Sequence, residues 1–308
     1  MEPRSWPHFR HRQRAKVERL STERDIEFSY GLDGGGRRTV PVRALRPASP
    51  ITLTPVVALH VESVGVGPPV VLIPGLGYAS WCWREQEPLA ERWRLCKVDP
   101  RGAGRSPKPD GPYSIAEMAV DIAATVAGLG PFHVVGHSLG GYLAMILAIE
   151  YPDLVRSLLL IATTSGGAGH TPVPDATREA WLREAGKSPP EYARATMHLS
   201  FSPGWAEQHP EEYEGWLRER LEFPTPPEAW SAQYEAGNAY LKRGIEVEKV
   251  TVPTLIVHGR EDRILPFANG MELAGRISTS RLLPIDGLGH LVHMERPDIF
   301  NSAASSFW

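Results

Sequence analysis

From residue 53 onward, short apolar runs alternate with longer polar or amphipathic stretches. PPVVLIP (68–74), RLCKVD (94–99), FHVVG (132–136), VRSLLLIA (155–162), VPTLIVHG (252–259) and SRLLPID (280–286) have the length and β-branching of buried strands. Between them, apolar positions recur every three or four residues. Residues 114–128 predict a helix, with Ser114 as N-cap and Glu117 three positions on as its capping-box partner. A second helix follows Ser138, carried by Leu143, Ile146 and Leu147. Strands alternating with helices predict an α/β fold: a mostly parallel, doubly wound sheet covered on both faces.

Residues 165–245 break this rhythm. They contain no strand pattern and predict several short amphipathic helices, interrupted at SPP (188–190), SPG (202–204) and PTPP (224–227). Trp181, Tyr192, Phe201, Trp205, Trp216, Phe223, Trp230 and Tyr234 fall here. The stretch reads as a helical cap over the C-terminal edge of the sheet, the edge at which open α/β sheets bind ligands. Most of its aromatics are expected to pack the insertion itself, and a minority to line a pocket. Residues 53–164 and 246–308 then form the core. Residues 1–52 differ in character, with 11 Lys/Arg against 6 Asp/Glu and the segments DGGGRRT (33–39) and RPASP (46–50). They read as an extension of uncertain order.

Composition narrows the function classes. The 308 residues are 42% apolar and 22% charged with a net charge of −3, which points neither to nucleic acid nor to an anionic membrane as partner. Cys82 and Cys96 provide neither a disulfide framework nor a metal set, and they suit a reducing, cytoplasmic setting. No apolar run reaches the length of a membrane span, and no apolar core follows the basic N-terminus as a secretory signal requires.

Candidate chemistry begins at GHSLGG (136–141). Here the chain passes from strand to helix with no intervening loop, and Ser138 stands on the corner. So sharp a turn strains its middle residue and brings neighbouring backbones together, which explains glycine two positions to either side. The corner also aims the Leu139 N–H, at the start of a helix, at whatever binds there. The five-residue pattern is short enough to arise by chance, so partners elsewhere must support it. A serine hydroxyl needs a base, and the base needs an orienting acid.

On a parallel sheet those partners belong in later loops at strand C-termini. HGREDRILP (258–266) offers Asp262, with Glu261 as the alternative acid, and DGLGHLVHMERP (286–297) offers His290. The order serine, acid, histidine is the required one. His293 lies three residues further on, but a His-x-x-His pair lacks the remaining ligands of a metal site. His133 reads as a satisfied core histidine, and His137 as a residue turned away from the serine to shape the pocket floor. An oxyanion needs two donors. Leu139 N–H is one candidate, and Leu76 N–H in PGLGYASW (74–81) is the other, with Gly75 allowing close approach.

With these pieces in place, the chain resembles the α/β-hydrolase superfamily in its helical-cap branch. PGLG (74–77), DPRGAGRS (99–106), GHSLGG (136–141), HGREDRILP (258–266) and GHLVHMERP (289–297) occur in the family's order and spacing, over roughly 53–308. The resemblance implies Ser138 as nucleophile, His290 as base and Asp262 as acid. It also implies that Asp99, Arg101 and Gly104 brace the turn beside the site. Pro74 departs from the histidine that many members carry before the glycine. A serine nucleophile sets the chain apart from members that dehalogenate alkanes or open epoxides with an aspartate.

The expected activity is cofactor-free hydrolysis of a small or medium carboxylic ester or lactone through an acyl-enzyme. Carbon–carbon or thioester cleavage on the same residues is the alternative, as is a non-catalytic ligand-binding protein of the same fold. A nucleotide-binding α/β protein fits less well. GLGYAS (75–80) ends in serine where a dinucleotide loop needs glycine, and no Gly-Lys-Ser/Thr loop is present.

Overall fold

The computed structural model describes residues 18–22, 25–31, 37–42, 56–184 and 187–308. The chain divides into two compact units, Met1–Pro50 and Ile51–Trp308. In the first, β1 (Glu18–Thr22), β2 (Asp25–Gly31) and β3 (Arg37–Val42) form an antiparallel sheet in that order, with Phe28 opposite both Arg19 and Val40. The alternation of Ile26, Phe28 and Tyr30 with Glu27 and Ser29 is a strand signal of period two. The segment RPASP and the glycines of DGGGRRT lie outside the described residues.

The second unit is built on seven strands: β4 (Val61–Val64), β5 (Pro69–Ile73), β6 (Arg94–Val98), β7 (Phe132–His137), β8 (Val155–Ile161), β9 (Thr254–Gly259) and β10 (Ser280–Ile285). Their spatial order is β4-β6-β5-β7-β8-β9-β10, and every neighbouring pair is parallel except β4 with β6. Val70–Ile73, Val134, Val135 and Leu158–Ile161 are fully buried. Coverage on both faces is why these strands read as unbroken apolar runs. The apolar-run pattern does not reveal β4. Its sequence VESV is only half-buried at the sheet edge, so it carries no such run.

Helix α1 (Ile115–Val126) starts where expected. Ser114 Oγ accepts from the Glu117 N–H and donates to its carboxylate, so the two side chains close the cap on each other. Helix α2 (Leu139–Glu150) follows β7 directly. Between β8 and β9 the described residues form helices α3 (Asp175–Glu184), α4 (Pro189–Thr196), α5 (Trp205–Gln208), α6 (Pro210–Glu222) and α7 (Pro227–Arg243), and no strand. Pro189, Pro210 and Pro227 each open a helix, the position at which a missing N–H does no harm. Helices α8 (Ala268–Arg276), α9 (Val292–Glu295) and α10 (Pro297–Phe307) complete the chain. Among the described residues, no helix is long and apolar enough to cross a membrane.

Candidate active site

Ser138 occupies the step from β7 to α2 with φ 53° and ψ −119°, a left-handed conformation that a side chain disfavours. Three hydrogen bonds hold it there: its N–H donates to Ile161 O at 2.9 Å, and its carbonyl accepts from Thr163 Oγ1 and from the Gly141 N–H, each at 2.8 Å. The flanking glycines are sterically required. A Cβ on Gly136 would run into Gly140 O, and one on Gly140 into the carbonyls of Ile73 and Pro74. The corner therefore forms only if strand, helix and the end of β5 come within backbone contact. The Ser138 side chain is left half-buried at the C-terminal edge of the sheet.

Asp262 and His290 come from the loops after β9 and β10, which are adjacent parallel strands. His290 Nδ1 lies 2.8 Å from Asp262 Oδ2. Because the carboxylate accepts, Nδ1 carries the proton and Nε2 presents its lone pair. The other oxygen of Asp262 accepts from the N–H groups of Ile264, at 2.7 Å, and Leu265, at 2.9 Å. His258 Nε2 also approaches Oδ2, at 3.2 Å, while donating to Leu265 O at 2.8 Å. Burial alone would raise the pKa of Asp262. The charge His290 takes on, and the hydrogen bonds from His258 and His290, hold it well below the usual carboxylate range instead. Asp262 is thus a fixed anion against His290, whereas Glu261 is exposed.

The His290 ring sits against the elbow. Its centroid is 4.7 Å from that of His137, and His137 Nε2 donates to His290 O at 3.1 Å. No hydrogen bond joins Ser138 to the His290 ring, a contact that in such sites often tightens only with substrate bound. Ser200 O accepts from the N–H groups of both His290 and Leu291. The buried carboxylate of Glu295 accepts from the N–H groups of Gly289 and Ser202, at 3.0 Å each. The helical insertion thereby fixes the loop that carries His290.

Leu76 and Leu139 lie at the C-terminal ends of β5 and β7, which are neighbours in the sheet. Neither N–H has an acceptor among the described residues, and Leu139 is the first residue of α2. A Cβ on Gly75 would stand 3.2 Å from the Ser138 Cβ, so the Leu76 loop passes directly over the elbow. Gln233 of α7, buried in the insertion, steadies that loop. Its Oε1 accepts from Gly77 N–H at 3.1 Å, and its Nε2 donates to Arg101 O at 2.7 Å.

The turn after β6 is braced by Asp99, which accepts from Ser80 N–H at 2.6 Å and Arg105 N–H at 2.8 Å, and whose carboxylate leaves no room for a Cβ on Gly104. Arg101 forms a buried ion pair with Asp121 at 2.6 Å.

His133 pairs with Ser157 Oγ at 2.8 Å. His293 is fully buried against the Trp83 ring, with no hydrogen-bond partner on either nitrogen among the described residues. Among the described residues, no group of three His, Cys, Asp or Glu is placed to hold a metal ion.

A cavity of about 380 Å³ opens beside the Leu76 loop, with Gly77 in its wall. Of the eight aromatics named from the sequence, four line it: Trp181, Tyr192, Trp230 and Tyr234. Phe201, Trp205 and Trp216 are instead buried in the apolar core. Gln233 and the cavity cation Arg220 were not singled out by sequence reading. A glutamine or arginine on an amphipathic helix has no local signal that separates it from a solvated one.

The chain belongs to the α/β hydrolase fold family, whose model matches residues 68–297, and it is a hydrolase of that family. A relative from Azorhizobium caulinodans, RutD, provisionally named a carbamate hydrolase, is 30% identical over 262 residues, covering 81% of this chain and 94% of its own. Among solved structures, a thermophilic esterase from Thermogutta terrifontis, with malate bound, is similar at a TM-score of 0.69 and 28% identity, covering 81% of this chain and 92% of that one. Est816, described as an N-acyl homoserine lactone degrading enzyme, is similar at a TM-score of 0.68 and 28% identity, covering 82% and 97%.

Proposed function

We propose that the protein is a serine hydrolase that cleaves small or medium carboxylic esters or lactones through an acyl-enzyme. The observation that carries this reading is the left-handed Ser138 on its strand–helix corner, beside a His290 already paired to Asp262 at 2.8 Å. In the first half-reaction, Ser138 Oγ attacks the substrate carbonyl carbon while His290 Nε2 takes the hydroxyl proton. The Leu76 and Leu139 N–H groups donate to the resulting oxyanion, where charge develops. The carbonyl re-forms, the bond to the leaving oxygen breaks, and the imidazolium delivers its proton to that oxygen. A water then attacks the acyl carbon, with His290 again as base, and the second collapse returns Ser138 and releases the acid. Asp262 holds the ring in the Nδ1–H tautomer and stabilises its charged form. No step calls for a cofactor.

The ester and lactone assignment is also supported by the similarity to an esterase and to a lactone-degrading enzyme. The mostly apolar cavity lined by the insertion favours a small molecule over a polymer. Steady-state kinetics on short-chain 4-nitrophenyl esters and on γ- and δ-lactones, with wild type and Ser138→Ala in parallel, test the reading. Turnover that falls by several orders of magnitude in Ser138→Ala is the expected result. Equal rates in the two proteins would exclude it.

A further inference from the structure

Among the described residues, one charge in the cavity beside the Leu76 loop has no counter-ion. Of those residues, three cations line the cavity, Arg178, Lys187 and Arg220, and no acid does. Arg178 is paired with Asp175 and Lys187 with Glu184. Arg220, on α6, forms no ion pair or hydrogen bond with any described residue, although it is half-buried. Its guanidinium lies 5.1 Å from the centroid of the Tyr78 ring. Its charge also acts on Tyr192 and Tyr213. Its neighbouring glutamate on the helix is used elsewhere, since Glu219 pairs with Arg84. Tyr78 in turn meets His137 edge-on at 6.4 Å, and His137 precedes Ser138. Arg220 therefore lines an aromatic cavity, and the Tyr78 ring it faces packs on the His137 that precedes Ser138.

An arginine held among aromatic rings with no carboxylate beside it is poised for an anion from outside. Its planar fork matches a carboxylate, and reduced solvation strengthens the pairing. The rest of the lining, with Trp181, Trp230 and Tyr234, suits an apolar chain or ring. Resting on the serine hydrolase reading above, we propose that Arg220 is a specificity-determining residue and that the substrates are amphiphilic esters carrying a carboxylate at the end remote from the scissile bond.

The test compares matched ester pairs: 4-nitrophenyl half-esters of C4 to C8 dicarboxylic acids against the neutral 4-nitrophenyl alkanoates of the same length, and 4-carboxyphenyl butyrate against phenyl butyrate. These place the anion on the acyl or the leaving-group side. At least one anionic ester should exceed its neutral partner in kcat/KM by about tenfold or more, with the difference in KM and shrinking as salt is raised. Arg220→Gln should remove that preference, Arg220→Lys should restore part of it, and Arg218→Gln, an exposed change on the same helix, should leave it in place. The proposal is overturned if no anionic ester is preferred, if the preference survives Arg220→Gln, or if the variant loses equally on both members of a pair. In those three cases, Ser138-dependent turnover of the neutral esters would leave the hydrolase reading standing. Absence of Ser138-dependent turnover on every ester would overturn both.

Discussion

Gln233 accepts a hydrogen bond from the Gly77 N–H at 3.1 Å, across 156 positions of sequence. Through this bond, and through its donation to Arg101 O, one side chain of the insertion ties together the loops after β5 and β6. The candidate oxyanion donor Leu76 sits in the first of those loops. The insertion thus helps to set the donor's position as well as to line the cavity. Gln233→Leu would leave a buried N–H and a buried carbonyl without partners, each worth about 1–3 kcal/mol. We expect kcat to fall by about tenfold or more with little change in KM, together with a lower Tm. Steady-state kinetics and thermal unfolding of the variant check this. A lower Tm with unchanged kcat would reduce Gln233 to a purely structural role.

The acid can be assigned by two substitutions. Asp262→Asn keeps the shape of the side chain but removes the charge and the preference for the Nδ1–H tautomer, which in comparable triads lowers kcat by about 10⁴. Glu261→Gln should leave kcat within about twofold, because Glu261 is exposed and Asp262 holds His290. The reverse ranking would reassign the acid.

Ser138 holds a conformation that only glycine adopts without strain. Ser138→Gly should therefore abolish hydrolysis and yet raise stability by about 1–2 kcal/mol. Ser138→Ala should abolish hydrolysis without that gain. Denaturant unfolding of the two inactive variants separates them, and equal stabilities would mean that the corner is unstrained. By contrast, Gly140→Ala should prevent the corner from closing, because its Cβ meets backbone carbonyls that cannot yield.

Acid stability should depend on the buried histidines. Burial, reinforced by the charge His290 takes on, pushes His293 down to about 3. His137 is lowered in the same direction, by burial first and then by its histidine neighbours. The unfolded chain protonates histidine near pH 6.5, so between that value and about 3 it binds protons that the folded state does not. Stability therefore falls as pH drops through this window. Below about pH 4 the unfolded chain also protonates Asp262, which the folded state keeps ionised, and this adds to the decline. His293→Leu should flatten the upper part of the profile and be more stabilising, relative to wild type, at pH 5 than at pH 8. Thermal unfolding across that range checks the slope, and an unchanged slope would contradict the role of His293.

The features legible in the sequence share a local cause. Strands covered on both faces write themselves as apolar runs, and the elbow is a five-residue pattern, even though the contacts that require Gly140 come from Ile73 and Pro74. The positions of Asp262 and His290 follow from strand ends in the same way. Half-buried β4 carries no comparable run, and the alternation in β2 is spread over few residues. Gln233, Arg220 and the strap made by Glu295 depend on contacts between distant segments, so no neighbouring residue announces them. The division of aromatics between cavity and core is likewise set by how α3–α7 pack, which the spacing of Trp and Tyr along those helices does not encode.

The central claim is that Ser138 is an activated nucleophile facing a working oxyanion site. Labelling the folded protein with a fluorophosphonate probe, and locating the adduct by peptide mass spectrometry, tests it most directly. The account predicts a single modified residue, Ser138, with labelling lost in Ser138→Ala and strongly reduced in His290→Ala. Labelling that persists in Ser138→Ala, or folded wild-type protein that stays unmodified by small probes able to enter the cavity, would contradict it.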